Sequence, residues 1–266
     1  MNRDQKRPGV FFGLASFFRG IGFIAKTPST WPFALVPVVV VALIVGVLFF
    51  VGRTYVLRWT GHLFDPSTTP SIPSWLSTAG RTTIRFLSLA ILLVGSFFLS
   101  TALAPPLSGS ALDHIVKVRN DRLKAKLFLS DVGFFRSVFR SVRVSILSLA
   151  FGIPCIVFLT MVEWAVPPAA IVTWPTKVLV MSLLAAWNLL DYPLGLLDKG
   201  ARFRIRWIFL RFWPTVGFGL GAVIVSVIPF LGLLLLPAGV AGATEFIAEF
   251  SLFDADERAR FERSRA

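Results

Sequence analysis

The sequence predicts an all-α, polytopic integral membrane protein with about four membrane spans. It also predicts an N-terminal amphipathic helix and a C-terminal helical hairpin. Of the 266 residues, 55% are hydrophobic and 15% are charged, whereas soluble domains carry about 25% charged residues. The apolar residues gather into blocks of roughly 20 or more, which is long enough to cross the hydrocarbon core. The abundant phenylalanine and tryptophan suit a surface that faces lipid.

Residues 9–26, GVFFGLASFFRGIGFIAK, predict the amphipathic helix. An apolar stripe at helical spacing is formed by Phe11, Leu14, Phe18 and Ile21. Arg19 and Lys26 can reach lipid headgroups, so we expect this helix to lie along the membrane interface. The alternative is a helix packed on other parts of the protein. The following apolar block is too long for a signal peptide and lacks a cleavage pattern, so we expect it to be retained.

Four apolar blocks each fit one membrane span. They cover approximately residues 33–51, 84–103, 144–166 and 171–190. Segments rich in proline and polar residues bound these blocks and predict turns, at residues 27–32, 104–106, 167–168 and 191–193. Residues 60–80 predict an exposed loop, and residues 109–126 predict a polar helix with an apolar stripe of Leu112, Ile115 and Val116.

The last apolar block, residues 214–253, predicts a hairpin. It is interrupted by Pro229, Gly232, Pro237, Gly239 and Gly242. The hairpin could be two full spans, or two half-depth helices that enter and leave on one side. Each arm is short for a full crossing, which favours a hairpin that penetrates the bilayer in part. We therefore expect one helical membrane domain over residues 1–253 and a solvated charged tail over residues 254–266.

The positive charge predicts orientation rather than nucleic-acid binding. The net charge is +13, but the basic residues lie between the apolar blocks, and no zinc spacing or recognition motif is present. The N-terminal, 109–143 and 199–211 segments hold five, eight and five Lys/Arg residues, whereas the 167–173 turn holds none. The positive-inside rule therefore places both termini in the cytoplasm. The single cysteine, Cys155, excludes an intramolecular disulfide.

The sequence gives little reason to expect an enzyme. His62 and His114 lie in different predicted loops, and neither has a metal-ligand partner at i+4. No nucleophile elbow, Walker loop or dinucleotide fingerprint is present. We expect no catalytic residues, metal or cofactor.

Four acids lie within or beside the apolar blocks, where ionisable groups are costly and indicate function by default. Glu163 and Asp191 fall at span ends, which favours an interfacial anchor or a helix cap. Glu245 and Glu249 are four residues apart and share a helical face. We expect them to form structural salt bridges with the basic loops, with a role in a permeation path as the alternative.

Two groups of arginines flank the spans on the predicted cytoplasmic side. The first is Arg136, Arg140 and Arg143, and the second is Arg202, Arg204 and Arg206. The simpler interpretation is snorkelling at the membrane interface. The more specific interpretation is a basic vestibule that concentrates anions.

The C-terminal half contains a specific set of motifs. These are Asn188-Leu189-Leu190-Asp191-Tyr192-Pro193-Leu194, Arg202-Phe203-Arg204, Gly217-Phe218-Gly219, Ile228-Pro229 and the run from Leu236 to Thr244. Together they resemble the etoposide-induced membrane-protein family, whose bacterial members include the CysZ sulfate permeases. Pro28 with Phe33 and Pro37, and the stretch 104–108 with Leu112 and Asp113, extend the resemblance over residues 10–250.

The resemblance implies a helical, homo-oligomeric protein of the bacterial inner membrane that supplies the cytoplasm with sulfate for cysteine synthesis. In the family, sulfate sits at a Gly-Leu-Arg turn before the first span, which falls here on Ser29, Thr30 and Trp31. The family arginine is absent at this turn, so Arg19 or Lys26 would supply the charge. The leading hypothesis is a permease or passive channel for sulfate or a similar oxyanion. The alternative is a non-transporting scaffold or lipid-handling protein.

Overall fold

The computed structural model confirms the all-α class. It describes residues 8–62, 74–124, 134–197, 201–228 and 231–263. The helices are α1 Val10–Lys26, α2 Trp31–His62, α3 Ser74–Leu107, α4 Gly109–Leu123, α5 Phe134–Ala165, α6 Ala170–Leu196, α7 Ala201–Leu210, α8 Phe212–Ser226 and α9 Leu231–Arg263. Short 3-10 turns at Pro28–Thr30 and Pro167–Ala169 precede α2 and α6.

Within the described residues, four helical segments are long and apolar enough to cross a membrane, as the sequence predicts. They are Pro28–Gly61, Thr78–Thr101, Ile146–Ala165 and Pro167–Leu196. The helices are longer than the predicted spans. The predicted break at residues 104–106 is wrong by a few residues, and α6 continues through Pro193 to Leu196. A proline removes only one backbone N–H donor. In an apolar medium the remaining N–H and C=O groups still need hydrogen-bond partners, and a continued helix supplies them.

The chain divides into two compact units, of which residues 37–105 form one. This unit contains most of α2 and all of α3 up to Pro105. The two helices approach where Gly52 faces the side chain of Leu92. Arg85 Nε also donates a hydrogen bond of 3.4 Å to the Thr60 hydroxyl. This unit therefore provides two of the four candidate spans.

The other unit comprises residues 1–36 and 106–266. Its core lies where α1 packs on α8 and α9, and where α6 packs on α8. The rings of Phe17, Phe218 and Phe246 are fully buried there. The Phe17 and Phe218 centroids are 5.6 Å apart, and those of Phe218 and Phe246 are 5.4 Å apart. The N-terminal helix is thus part of the main core.

Helix α1 adopts the alternative that the sequence leaves open, since one of its faces packs on the protein. That buried face consists of Gly13, Ser16, Phe17, Gly20 and Phe23. The predicted apolar stripe is divided, because Ile21 packs against the core whereas Phe11 is 85% exposed and Phe18 is 44% exposed. One face of α1 therefore packs on the protein, and the opposite face, with Phe11 and Phe18, stays exposed.

Glycines allow this packing to be unusually close. A Cβ atom on Gly13 would lie 1.8 Å from the carbonyl oxygen of Pro214, and one on Gly20 would lie 2.2 Å from that of Ala238. A Cβ atom on Gly219 would lie 1.7 Å from the carbonyl oxygen of Ser182 in α6. Small residues at helix interfaces are typical of membrane proteins, because they let backbones approach. At these positions any other residue would force the helices apart.

Helices α8 and α9 correspond to the two arms of the predicted hairpin, since α8 ends at Ser226 and α9 begins at Leu231, and the predicted break at Pro229 lies outside the described residues. Helix α8 has 15 residues, so it is about 22 Å long, shorter than the ~30 Å hydrocarbon core. It is bent by 92° from α7. Gly232, Pro237, Gly239 and Gly242 do not interrupt α9, contrary to expectation. The helix continues through residues 254–263, where the sequence predicts only a solvated tail, and residues 264–266 lie outside the described part of the chain.

Candidate functional site

The predicted anion-binding turn, residues 27–31, connects α1 directly to α2. The Thr27 N–H donates to the Ile24 carbonyl at 3.2 Å, which ends α1. The Pro28–Thr30 turn follows, and Trp31 opens α2. The Trp31 indole N–H donates to the same Ile24 carbonyl at 2.9 Å. The turn is therefore fixed to the last turn of α1, and α2 begins in a defined position relative to it.

Most donors of this turn are used within it. The Thr30 N–H and hydroxyl both donate to the Thr27 carbonyl, at 3.0 and 2.8 Å. The Trp31 backbone N–H donates to the Pro28 carbonyl. Ser29 is exposed, and its hydroxyl has no hydrogen-bond partner among the described residues. Of the three residues that the resemblance assigns to the anion, Ser29 is thus the one whose side chain can turn to a ligand.

Positive charge reaches the turn from α1. Lys26 is the last residue of α1, and its side chain is exposed. Arg19 precedes Lys26 by seven residues, so both lie on one face of the helix, roughly 10 Å apart along its axis. Beyond the turn, His114 of α4 stacks on Phe33, with ring centroids 4.0 Å apart. Lys26 and Ser29 therefore form the accessible polar part of the turn.

Arg19 belongs to a balanced charge cluster that joins α1, α4 and α9. Its Nε lies 3.1 Å from a carboxylate oxygen of Glu245, and its Nη2 lies 3.1 Å from one of Glu249. Arg119 of α4 forms a second ion pair with Glu245. The Arg119 guanidinium also lies over the Phe23 ring, 4.3 Å from its centroid. Two cations and two anions thus meet at one place, and Arg19 contributes little net field to the turn.

The two acids of this cluster differ in environment. Glu245 is 5% exposed as a residue and contacts both arginines. Glu249 lies outside the candidate spans and is less buried. Partial burial raises the pKa of the Glu249 carboxyl above its ordinary value, and the Arg19 guanidinium opposes that shift.

Arg119 is absent from the site residues that the sequence singles out. Its position carries a signal nevertheless, because Leu112, Ile115 and Val116 precede it at helical spacing on the buried face of α4. A cation that continues an apolar stripe is expected to meet a buried acid. Sequence spacing alone does not reveal that the acid is Glu245 of α9.

The basic vestibule is described only in part. Arg204 forms an ion pair with Asp191, which connects the end of α6 to α7. Arg143 and Arg206 are exposed. The side chains of Arg136, Arg140 and Arg202 lie outside the described part of the structure. The described geometry therefore leaves Arg143 and Arg206 as the vestibule arginines that can meet a ligand.

Glu163 has a partner that the sequence does not indicate. It forms an ion pair with Lys177 across the α5–α6 turn, and both side chains are about one-fifth exposed. The Pro167–Ala169 turn lies between them in the sequence, so the ion pair connects the two helices that this turn joins. A charged residue on each side of a predicted tight turn is the signal that would have identified this pair.

Comparison with known proteins identifies a family. The sequence profile described as "Sulfate transporter CysZ/Etoposide-induced protein 2.4" matches residues 16–237. The sulfate transporter CysZ of Pseudomonas fluorescens strain Pf0-1 is 28% identical over 230 residues, covering 84% of this chain and 88% of its own. The protein of the same name from Pseudomonas aeruginosa strain LESB58 is 24% identical over 222 residues, covering 82% and 87%. The similarity therefore extends over most of both chains.

Proposed function

The chain belongs to the Sulfate transporter CysZ/Etoposide-induced protein 2.4 family, and on that premise we propose that it carries sulfate or a similar small oxyanion into the bacterial cytoplasm. The observation that carries the proposal is the extent of the similarity, since relatives named as sulfate transporters align over more than four-fifths of this chain. Four candidate spans provide the membrane domain that such an activity requires. We assign it to the bacterial inner membrane and expect a homo-oligomer.

We place the oxyanion contact at the exposed part of the turn, Ser29 and Lys26. The Ser29 hydroxyl and the Lys26 ammonium group can both donate hydrogen bonds to an anion, and the ammonium group also brings the opposite charge. Both properties suit a dianion. Thr30 and Trp31 hold the shape of the turn through their internal hydrogen bonds. Arg19, held by Glu245 and Glu249, orients the α1 face that ends at Lys26.

Uptake of radiolabelled sulfate into proteoliposomes tests the proposal. Wild-type protein should raise uptake well above that of empty liposomes, driven by the sulfate gradient alone if the pathway is a passive channel. Equal uptake with and without protein would overturn the proposed function.

The double variant Lys26→Gln with Ser29→Ala tests the location of the contact. We expect about a tenfold loss of uptake at low sulfate, because a charge-assisted hydrogen bond and a second donor are removed. Arg58→Gln is the matched control, since Arg58 is an exposed cation in the last turns of α2. Unchanged uptake in the double variant would reject the turn as the contact site while leaving transport intact.

One observation favours a second candidate function, a membrane scaffold or lipid-handling protein. The turn lacks the family arginine, and the Thr30 and Trp31 donors are already used within it. Both features reduce the capacity of the turn for a dianion. Isothermal titration with sulfate separates the candidates, since a protein that retains anionic lipid but shows no sulfate binding and no uptake would fit the second function alone.

A further inference from the structure

A cavity of about 330 Å³ lies among α5, α6 and α7. Its walls include Leu147, Phe151 and Cys155 of α5, Trp187 of α6, and Ile205 and Phe209 of α7. The volume falls within the range of small-ligand sites. The polar group at its wall is Ser148, whose hydroxyl already accepts a hydrogen bond of 3.1 Å from Asn188. The cavity therefore suits a hydrocarbon chain rather than a polar ligand.

The cavity lies beside two candidate spans, so bilayer lipid is the surrounding medium. Its α5 wall belongs to the first half of the span Ile146–Ala165, and its α6 wall to the second half of Pro167–Leu196. These two halves are adjacent in antiparallel helices. The cavity is thus closer to the end where α5 begins and α6 ends, which the positive-inside rule assigns to the cytoplasmic leaflet.

One exposed arginine lies toward that end, and another lies beside the cavity on α7. Arg143 precedes Leu147 by four residues, so it continues the cavity-lining stripe of α5 one turn toward the helix start. Arg206 lies between the lining residues Ile205 and Ile208 in the sequence of α7, about 100° around the helix from Ile205 and therefore beside the lining face. Both arginines are exposed, and neither has an ion-pair partner within the described ranges. A phosphate at the mouth of the cavity would therefore meet two available guanidinium groups.

From this arrangement we propose that the cavity binds an anionic phospholipid, with an acyl chain between α5, α6 and α7 and the headgroup phosphate at Arg143 and Arg206. The two exposed arginines favour an anionic lipid at this site over a second copy of the chain, because a copy in the same membrane orientation brings its own Arg143 and Arg206 to the same side. An anionic lipid brings the opposite charge together with an apolar chain. The proposal is independent of whether the protein transports sulfate.

Native mass spectrometry of the full chain released from detergent tests the headgroup contact. The probes are phosphatidylglycerol and phosphatidylcholine with identical acyl chains. Wild type should retain phosphatidylglycerol about tenfold better, and Arg143→Gln with Arg206→Gln should remove that preference. The control, Arg53→Gln with Arg58→Gln, removes two other exposed arginines and should keep it. Equal retention of both lipids by wild type, or an unchanged preference in R143Q/R206Q, would overturn the proposal.

Filling the cavity tests the acyl-chain contact. Cys155→Phe places a ring in the cavity and should lower the retention of both lipids, whereas Cys155→Ala should not. If C155F does not fold, Cys155→Leu replaces it. Phosphatidylglycerol retention equal to wild type in the folded variant would show that the chain does not occupy the cavity and would reject the site. A wild-type dimer that C155F converts to monomer would identify a second copy as the occupant and also reject it.

Discussion

At the scale of single residues, the cluster of Arg19, Arg119, Glu245 and Glu249 pairs charges from distant parts of the chain. The spacing of Glu245 and Glu249 predicts that they share a face and seek basic partners. Arg19 is one such partner from α1, and Arg119 is another from α4. Their identities are not predictable from spacing, because they depend on how α1 and α4 pack on α9. Burying these charges is tolerable only because each cation meets an anion.

The buried acid of this cluster should be the more important for stability. Glu245→Gln keeps the shape of the side chain but leaves the guanidinium of Arg119, which is largely buried, without its counter-charge. Breaking a buried ion pair costs about 3–5 kcal/mol. We expect a clear fall in the apparent melting temperature in detergent, measured by intrinsic fluorescence.

Glu249→Gln is the matched control. The Glu249 side chain is 30% exposed, and ion pairs near the surface contribute about 0–1 kcal/mol. Its melting temperature should therefore stay close to wild type. Equal losses for both variants would contradict the assignment of the buried charge to Glu245.

At the scale of helices, the glycines of the family motifs have a packing role. Gly217 lies against the backbone of Val10, where a Cβ atom would be 1.9 Å from the Val10 carbonyl oxygen. Gly219 is similarly close to Ser182 in α6. The sequence predicts that Pro237, Gly239 and Gly242 break the last apolar block, but they lie inside α9. Sequence composition does not distinguish a glycine that ends a helix from one that lets a neighbouring helix pack closely against its own helix.

Two glycines of α1 provide a direct test. Gly20→Ala places a methyl group 2.2 Å from the Ala238 carbonyl oxygen, so α1 must move away from α9. Overpacking of this kind typically costs about 1–3 kcal/mol. We expect a lower melting temperature and a less monodisperse profile on size-exclusion chromatography.

Gly22→Ala is the control on the same helix, since a Cβ atom at this position would meet no atom within 4 Å. Alanine favours a helix over glycine by about 1 kcal/mol, so G22A should match or exceed wild type. If G20A were as stable as G22A, the close approach of α1 and α9 would be refuted.

At the scale of the whole molecule, the class and the number of spans are predictable from the sequence because both follow from block length. Each span is a local feature, because the length of one apolar block decides whether that block can cross the membrane. The division into two compact units and the burial of α1 are not predictable in this way. Both depend on contacts between segments far apart in sequence, which one-dimensional periodicity does not record.

The charge distribution predicts that both termini lie in the cytoplasm. Four crossings return the chain to its starting side, and a hairpin that enters and leaves on one side keeps it there. A C-terminal green fluorescent protein fusion should therefore be fluorescent, and an alkaline phosphatase fusion at that site inactive. Phosphatase inserted between α5 and α6, at Pro167–Ala169, should be active. The reverse pattern would contradict the orientation.

The close fit of α1 against α8 and α9 has a consequence for biosynthesis. Helix α1 leaves the ribosome long before its partner backbones at Pro214 and Ala238, which lie about 200 residues later in the chain. Contacts of such large sequence separation form late and slowly. The exposed Phe11 and Phe18 give α1 an apolar edge that can bind the membrane interface until α8 and α9 have been synthesised. Helix α1 is therefore expected to dock only after α8 and α9 have been made.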